Sequence, residues 1–144
     1  MTTRSTAALG NSVVKAVEMA CAIYGVRCYR QQSRAVTVVG VGGRPRPMFM
    51  GQWRDRDGTL HSAGMADLLL TPRMICESRY SVLGLTVQIA AAVWVECKAG
   101  SGVLRPEQRA FRDDVEQGGA VYIECRDSAD PVVEWFNLHG VRRP

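Results

Sequence analysis

At 144 residues, with 47% hydrophobic and 22% charged side chains, the chain reads as one domain over 1–144, long enough to bury a core unaided and too apolar to be disordered. The opening MTTRSTAALGNS holds no apolar run of signal-peptide length and no later segment approaches the roughly 20 residues of a membrane span, while five cysteines without a CxxC pair and only two histidines, His61 and His139, argue against a disulfide scaffold or zinc cluster and fit a cytoplasmic protein. The net charge of +4 is uneven: residues 1–66 hold nine Lys/Arg against three Asp/Glu, and residues 67–144 hold nine against eleven. Arg27, Arg30, Arg34, Arg44, Arg46, Arg54 and Arg56 are therefore candidate phosphate contacts, with a solvated basic surface that aids solubility as the equal alternative.

In chain order, residues 11–24 predict a helix capped by Asn11, with Val13, Val17, Cys21 and Tyr24 at helical spacing and Gly25 in the left-handed position after it. Glu18 lies beside that stripe, where a surface glutamate is the simpler expectation. Residues 35–39, rich in β-branched side chains, predict a strand closed by a Gly/Pro loop. The GVGG in that loop lacks the rest of a GxGxxG signature and no helix follows it. Residues 48–53 predict another strand, turning at Asp57-Gly58. Residues 65–70 predict a short buried strand ended by Pro72. Residues 73–83 show no period and are expected to form a loop or a short helix. Residues 85–98, the most hydrophobic stretch, predict one long strand or two strands of a central sheet. Pro106 and the helix formers up to Gln117, stopped by Gly118-Gly119, predict a helix. Residues 120–125 predict a strand that completes a parallel crossover, and residues 130–138 a final helix.

Three places carry chemistry. Asp67 interrupts an apolar strand, where a carboxylate needs a cation, donors or a cleft. Glu96 and Lys98 share one face of a strand while Val95 and Cys97 take the other, just before the glycine-rich residues 99–102, a usual position for active-site groups. A structural ion pair is the competing explanation of this ExK pattern. Gln108 lies in the first helical turn on the face of Phe111 and Val115, nearest the Glu96–Lys98 end.

A helix with Glu, Asp after a glycine, ExK, then a helix with Gln: in this order the chain resembles the virus-type replication-repair nuclease (VRR-NUC) domain, a branch of the PD-(D/E)xK nuclease superfamily. The resemblance is carried by Gly64-Met65-Ala66-Asp67, Val95-Glu96-Cys97-Lys98, Gln108 and Gly118-Gly119-Ala120-Val121-Tyr122, spans roughly residues 60–125, and fits Glu18 more loosely. Ala66 stands where the superfamily name has proline, and Arg105 where a capping serine is frequent.

The resemblance implies an α/β fold, a central mixed β-sheet flanked by helices with a restriction-endonuclease-like core. It further implies Mg²⁺- or Mn²⁺-dependent hydrolysis of DNA, structure-selective on branched substrates such as Holliday junctions, by a homodimer serving recombination or repair in a bacterial or phage-infected cell. Asp67, Glu96 and the Cys97 carbonyl would hold metal, with Glu18 binding directly, through water, or at a second ion. Lys98 would orient the attacking water and Gln108 would position Lys98, the water or the phosphate. Trp135, Phe136 and Leu138 are candidates for the dimer contact, with core packing the stronger expectation. The other possibilities are an exonuclease or restriction-type nuclease on the same core, and a non-cleaving nucleic-acid-binding protein. A thiol enzyme built on Cys97 is disfavoured because that side chain faces away from Glu96.

Overall fold

The computed structural model describes residues 6–31, 35–39, 43, 45–49, 52–61, 63–77 and 86–141. The first helix, α1 (Thr6–Ile23), begins earlier than the sequence indicates, so Asn11 lies inside it and does not cap it. Good helix formers at Ala7, Ala8 and Leu9 extend the helix backwards. Its stripe of Val13, Val17, Cys21 and Tyr24 is buried as expected. Gly25, at φ 64°, ends it: the Val26 N–H returns to the Cys21 carbonyl at 2.8 Å, a Schellman closure whose following residue, Val26, is buried.

The chain then forms β1 (Arg27–Arg30), a strand that four residues with two arginines do not announce. β1 pairs antiparallel with β6 (Leu68–Thr71), setting Arg30 opposite Leu68. β6 in turn pairs antiparallel with β9 (Val93–Lys98), and β9 pairs in parallel with β10 (Val121–Arg126). The result is a mixed four-stranded sheet in the order β1-β6-β9-β10. Helix α2 (Pro106–Gln117) makes the crossover from β9 to β10, and α3 (Asp130–Leu138) follows β10.

Strand alternation divides the core in two. Leu68, Leu70, Val93, Val95, Cys97 and Cys125 pack with Val13 and Val17 of α1 and Val132 and Phe136 of α3. Trp94 and Tyr122 turn to the other face, where Phe111 of α2 packs with Trp53 and Ala66. The protein is thus a mixed α/β fold, with α1 and α3 on one face of the sheet and α2 on the other. Phe136 is fully buried and Leu138 exposed, so the C-terminal aromatic cluster is mainly core. Cys21, Cys28, Cys97 and Cys125 are free thiols.

Three two-stranded ladders complete the described chain: β2 (Ala35–Val39) with β3 (Pro45–Phe49), β4 (Trp53–Arg54) with β5 (Leu60–His61), and β7 (Arg73–Glu77) with β8 (Thr86–Ala90). They revise three expectations. The strand expected over 48–53 is divided between β3 and β4. Residues 73–77 are strand where the local pattern predicts a loop or helix, because pairing with β8 supplies what that pattern does not. The long 85–98 segment breaks at Ala91-Ala92, and only its second half joins the central sheet. Pro72 interrupts the partner strand at the same level, its carbonyl accepting the Ala91 N–H at 3.1 Å. Both strands therefore leave the sheet together, as one ribbon bent where proline offers no donor.

Candidate active site

Asp67, Glu96 and Lys98 meet where β6 begins and β9 ends. Asp67 lies immediately before β6, not within a strand. The ladder to β10 starts from the Ala92 carbonyl and closes at the Lys98 carbonyl, so even-numbered β9 residues turn their backbone groups to β10 and odd-numbered ones to β6. Beyond Leu68, β6 has no residue left to pair with Cys97. The Asp67 carboxylate takes that place, its Oδ2 accepting the Cys97 N–H at 2.8 Å, which leaves the Cys97 carbonyl on the Asp67 side of the strand. The Cys97 thiol points into the apolar core, and burial, then the Asp67 charge, push its pKa up. That burial disfavours the thiolate form that metal ligation or nucleophilic attack needs.

Glu96 is 2% exposed, facing α2. Its Oε1 takes two donors, Lys98 Nζ at 2.9 Å and Gln108 Nε2. Its Oε2 is buried without a hydrogen-bond partner. Burial, and then the Asp67 charge, hold the Glu96 carboxyl at about 7, against the pull of Lys98 and Gln108. Burial likewise raises the Asp67 pKa, opposed by the Cys97 N–H and by the charges of Lys98, Arg105 and Arg30. Two buried carboxylates, one of them pushed up further by the charge of the other, are stabilised by any added positive charge beside them.

Gln108 joins the pieces. It is buried in the first turn of α2, and its Oε1 accepts from Lys98 Nζ at 2.7 Å and from the Arg105 N–H at 3.0 Å. Arginine offers no acceptor to cap this helix, but the glutamine supplies the reciprocal half of a capping box. One amide thus fixes the helix start, the ammonium and the Glu96 carboxylate together.

Asp67 is placed by the chain before it. At Gly64 φ is +95°, and a Cβ there would lie 2.4 Å from the Glu107 carbonyl oxygen and 2.5 Å from its carbon. Only glycine allows the loop to cross the first turn of α2 so closely. Before it, the β4–β5 turn is held by Asp55, which accepts the Thr59 N–H at 2.8 Å and pairs with His61 Nε2 at 2.8 Å. His61 stacks on Trp53, which meets Phe111 edge to face. Gly64→Ala must move α2 or the loop, and should cost about 3 kcal/mol from clash and backbone strain. Urea unfolding would show this as a fall in midpoint; an unchanged midpoint would mean the crossing is not tight.

Other candidates stand apart from this cluster. Glu18 is clasped by Arg30, whose Nε and Nη2 donate to its Oε1 and Oε2 at 3.1 and 3.0 Å. The pair borders the site, because the Gln31 N–H donates to the Asp67 carbonyl at 2.7 Å. Both partners are half-exposed, and the charge of Arg30 also reaches Asp67. Arg54 donates to the Gly58 carbonyl, and Arg56 binds Asp114 and Gln117 of α2. Both are exposed, and these contacts tie them to the turn and to the helix. Arg27 is exposed on β1. Arg34 and Arg44 lie outside the described residues, as does the side chain of Arg46.

Among the described residues no three His, Cys, Asp or Glu side chains form a metal-holding group. Two carboxylates and one carbonyl are nonetheless an oxygen donor set, and the unpartnered Glu96 Oε2 gives it a free lone pair suited to a hard divalent cation that retains several waters. Tyr122 enters the resemblance only as the end of the Gly118–Tyr122 segment, and sequence reasoning gives it no role; its hydroxyl is buried and unpartnered on the Glu96 face of the sheet. The signal was available: Tyr122, Glu124 and Arg126 alternate along β10 as Trp94, Glu96 and Lys98 do along β9.

No helix among the described residues is long and apolar enough to cross a membrane. No protein-family model, curated protein or solved structure matches the chain.

Proposed function

We propose that the protein is a divalent-metal-dependent deoxyribonuclease with a PD-(D/E)xK core of the VRR-NUC type. The observation that carries this is the hydrogen-bonded cluster of Glu96, Lys98 and Gln108 beside Asp67, which accepts the Cys97 N–H, with two carboxylates whose burial disfavours ionisation in the absence of added positive charge.

Phosphodiester hydrolysis needs a nucleophilic water and charge stabilisation on an anionic phosphorus. Mg²⁺ or Mn²⁺ bound there would supply both by acidifying a water and neutralising phosphate oxygens. Asp67, Glu96 and the Cys97 carbonyl would hold the ion. Lys98 has two of its three donors directed at Glu96 and Gln108, leaving one for the attacking water or a phosphate oxygen. Gln108 stops the ammonium from swinging away, so the stabilising charge is in place before the transition state forms. Glu18 can join a second ion only by giving up Arg30.

Branched DNA is the proposed substrate and a two-fold homodimer the proposed form, since a symmetric pair of sites matches the two equivalent strands of a four-way junction. The test is cleavage of junction, flap, linear and plasmid DNA at equal phosphate concentration with Mg²⁺ or Mn²⁺. Preferential, paired cuts in the junction support the proposal, whereas degradation from linear ends would favour an exonuclease.

The basic first half makes a separate forecast. Neutralising Arg27, Arg30 and Arg34 together should weaken DNA binding and reduce the slope of log K against log salt by about 0.9 for each phosphate that is no longer neutralised. An unaltered slope, measured by fluorescence anisotropy, would put the DNA-binding surface elsewhere.

A further inference from the structure

The feature least explained by the cluster above is a pair of unsatisfied atoms within and beside it. Glu96 Oε2 and the Tyr122 hydroxyl are both buried without hydrogen-bond partners, whereas Glu124 Oε1, buried on the same face, has Arg126 Nη2 against it; buried polar groups in native proteins are rarely left unpaired. The parallel register sets Glu124 opposite Glu96 and Tyr122 opposite Trp94, so Tyr122 is the diagonal neighbour of Glu96 on the same face of the sheet. A phenol is long enough to reach across such a diagonal. The nearby Glu96 charge is, after burial, the foremost reason that the phenol resists ionisation, which keeps it a donor. The ring itself is held by Phe111, centroid to centroid at 6.4 Å. A purely packing role would be met by phenylalanine, which would bury no hydroxyl.

We infer that Tyr122 is a positioning residue for Glu96, its hydroxyl serving Glu96 Oε2 through one bridging water. With Oε1 taken by Lys98 and Gln108 and Oε2 steadied by Tyr122, the carboxylate plane cannot rotate, and Oε2 keeps a lone pair for a cation. The consequence for catalysis rests on the nuclease proposal; the pairing itself does not.

The experiment is a double-mutant cycle on metal-free protein at pH 8, comparing the Tm of wild type, Tyr122→Phe, Glu96→Gln and the double variant. If the two side chains interact, the Tm changes are non-additive, and Tyr122→Phe lowers Tm more when Glu96 is intact than when it is combined with Glu96→Gln. Mn²⁺ affinity by calorimetry and kcat should each fall about tenfold in Tyr122→Phe, as for other groups that orient a ligand, with KM for DNA unchanged. Additive Tm changes would overturn the inference. Inactive wild type with non-additive Tm changes would instead refute the nuclease proposal and leave the pairing standing.

Discussion

Lys98→Ala is expected to lower the rate of metal-dependent DNA cleavage by about 10³-fold, the loss typical when a preorganised stabilising charge is removed from a site, while DNA binding persists. The fold should also persist, for a reason written in the site. Removing one member of a buried pair is usually costly because the other is left charged. Here Glu96 already titrates at about 7, so without the ammonium it takes up a proton and stays neutral at pH 7. Gln108 can still donate to it. Near-native circular dichroism with a lost activity is the expected combination. Cleavage at the wild-type rate with Mn²⁺ would remove Lys98 from the mechanism.

Glu96→Gln should also abolish cleavage and yet stabilise the metal-free protein at pH 8. The folded pKa of Glu96 is raised from 4.5 to about 7, so the folded state binds a proton more tightly than the unfolded chain. Its contribution is fully favourable below about 4.5, and is lost progressively as pH rises through 7. The difference is about 3 kcal/mol at 1.36 kcal/mol per pKa unit. Glutamine keeps the shape and an acceptor for Lys98 without the charge. In EDTA the variant should therefore unfold at higher temperature than wild type at pH 8, and the gap should close as pH falls to 4.5. Mn²⁺ should raise the wild-type Tm and not that of the variant, since only the ionised carboxylate gains from the cation. A gap that does not change with pH would mean that Glu96 is not strained by burial. The site is then a place where the fold gives up stability for function.

How much of this is legible beforehand follows from the range of the interactions involved. Helices α2 and α3 and strand β10 are encoded locally, by Pro106, the Phe111 and Val115 spacing, Gly118-Gly119 and a β-branched run, and they stand close to where the sequence puts them. The shared face of Glu96 and Lys98, and the reach of Gln108 towards it, follow from strand and helix periods alone and agree with the geometry. What escapes depends on distant partners. β1 is a strand because β6 lies beside it, and β7 because β8 does; neither Arg-Cys-Tyr-Arg nor Arg-Met-Ile-Cys-Glu has a period that would reveal this. Glu18 reads as a loose ligand, but its clasp by Arg30 arises only when β1 folds back along α1. The contacts of Arg54 with the Gly58 carbonyl and of Arg56 with α2 escape too, because charge alone does not reveal what else an exposed guanidinium meets. Gly64 stands out as part of a motif, while its reason is the Glu107 backbone, some forty residues on.

The most direct test of the central claim is a single cleavage assay: purified wild-type protein and Lys98→Ala, each with a four-way junction and with linear duplex, in Mn²⁺ and in EDTA. Wild type should cut in Mn²⁺ and not in EDTA, with the junction preferred, and Lys98→Ala should cut neither DNA. Cleavage that persists in EDTA, or that survives in Lys98→Ala, would contradict a metal-dependent nuclease centred on Asp67, Glu96 and Lys98.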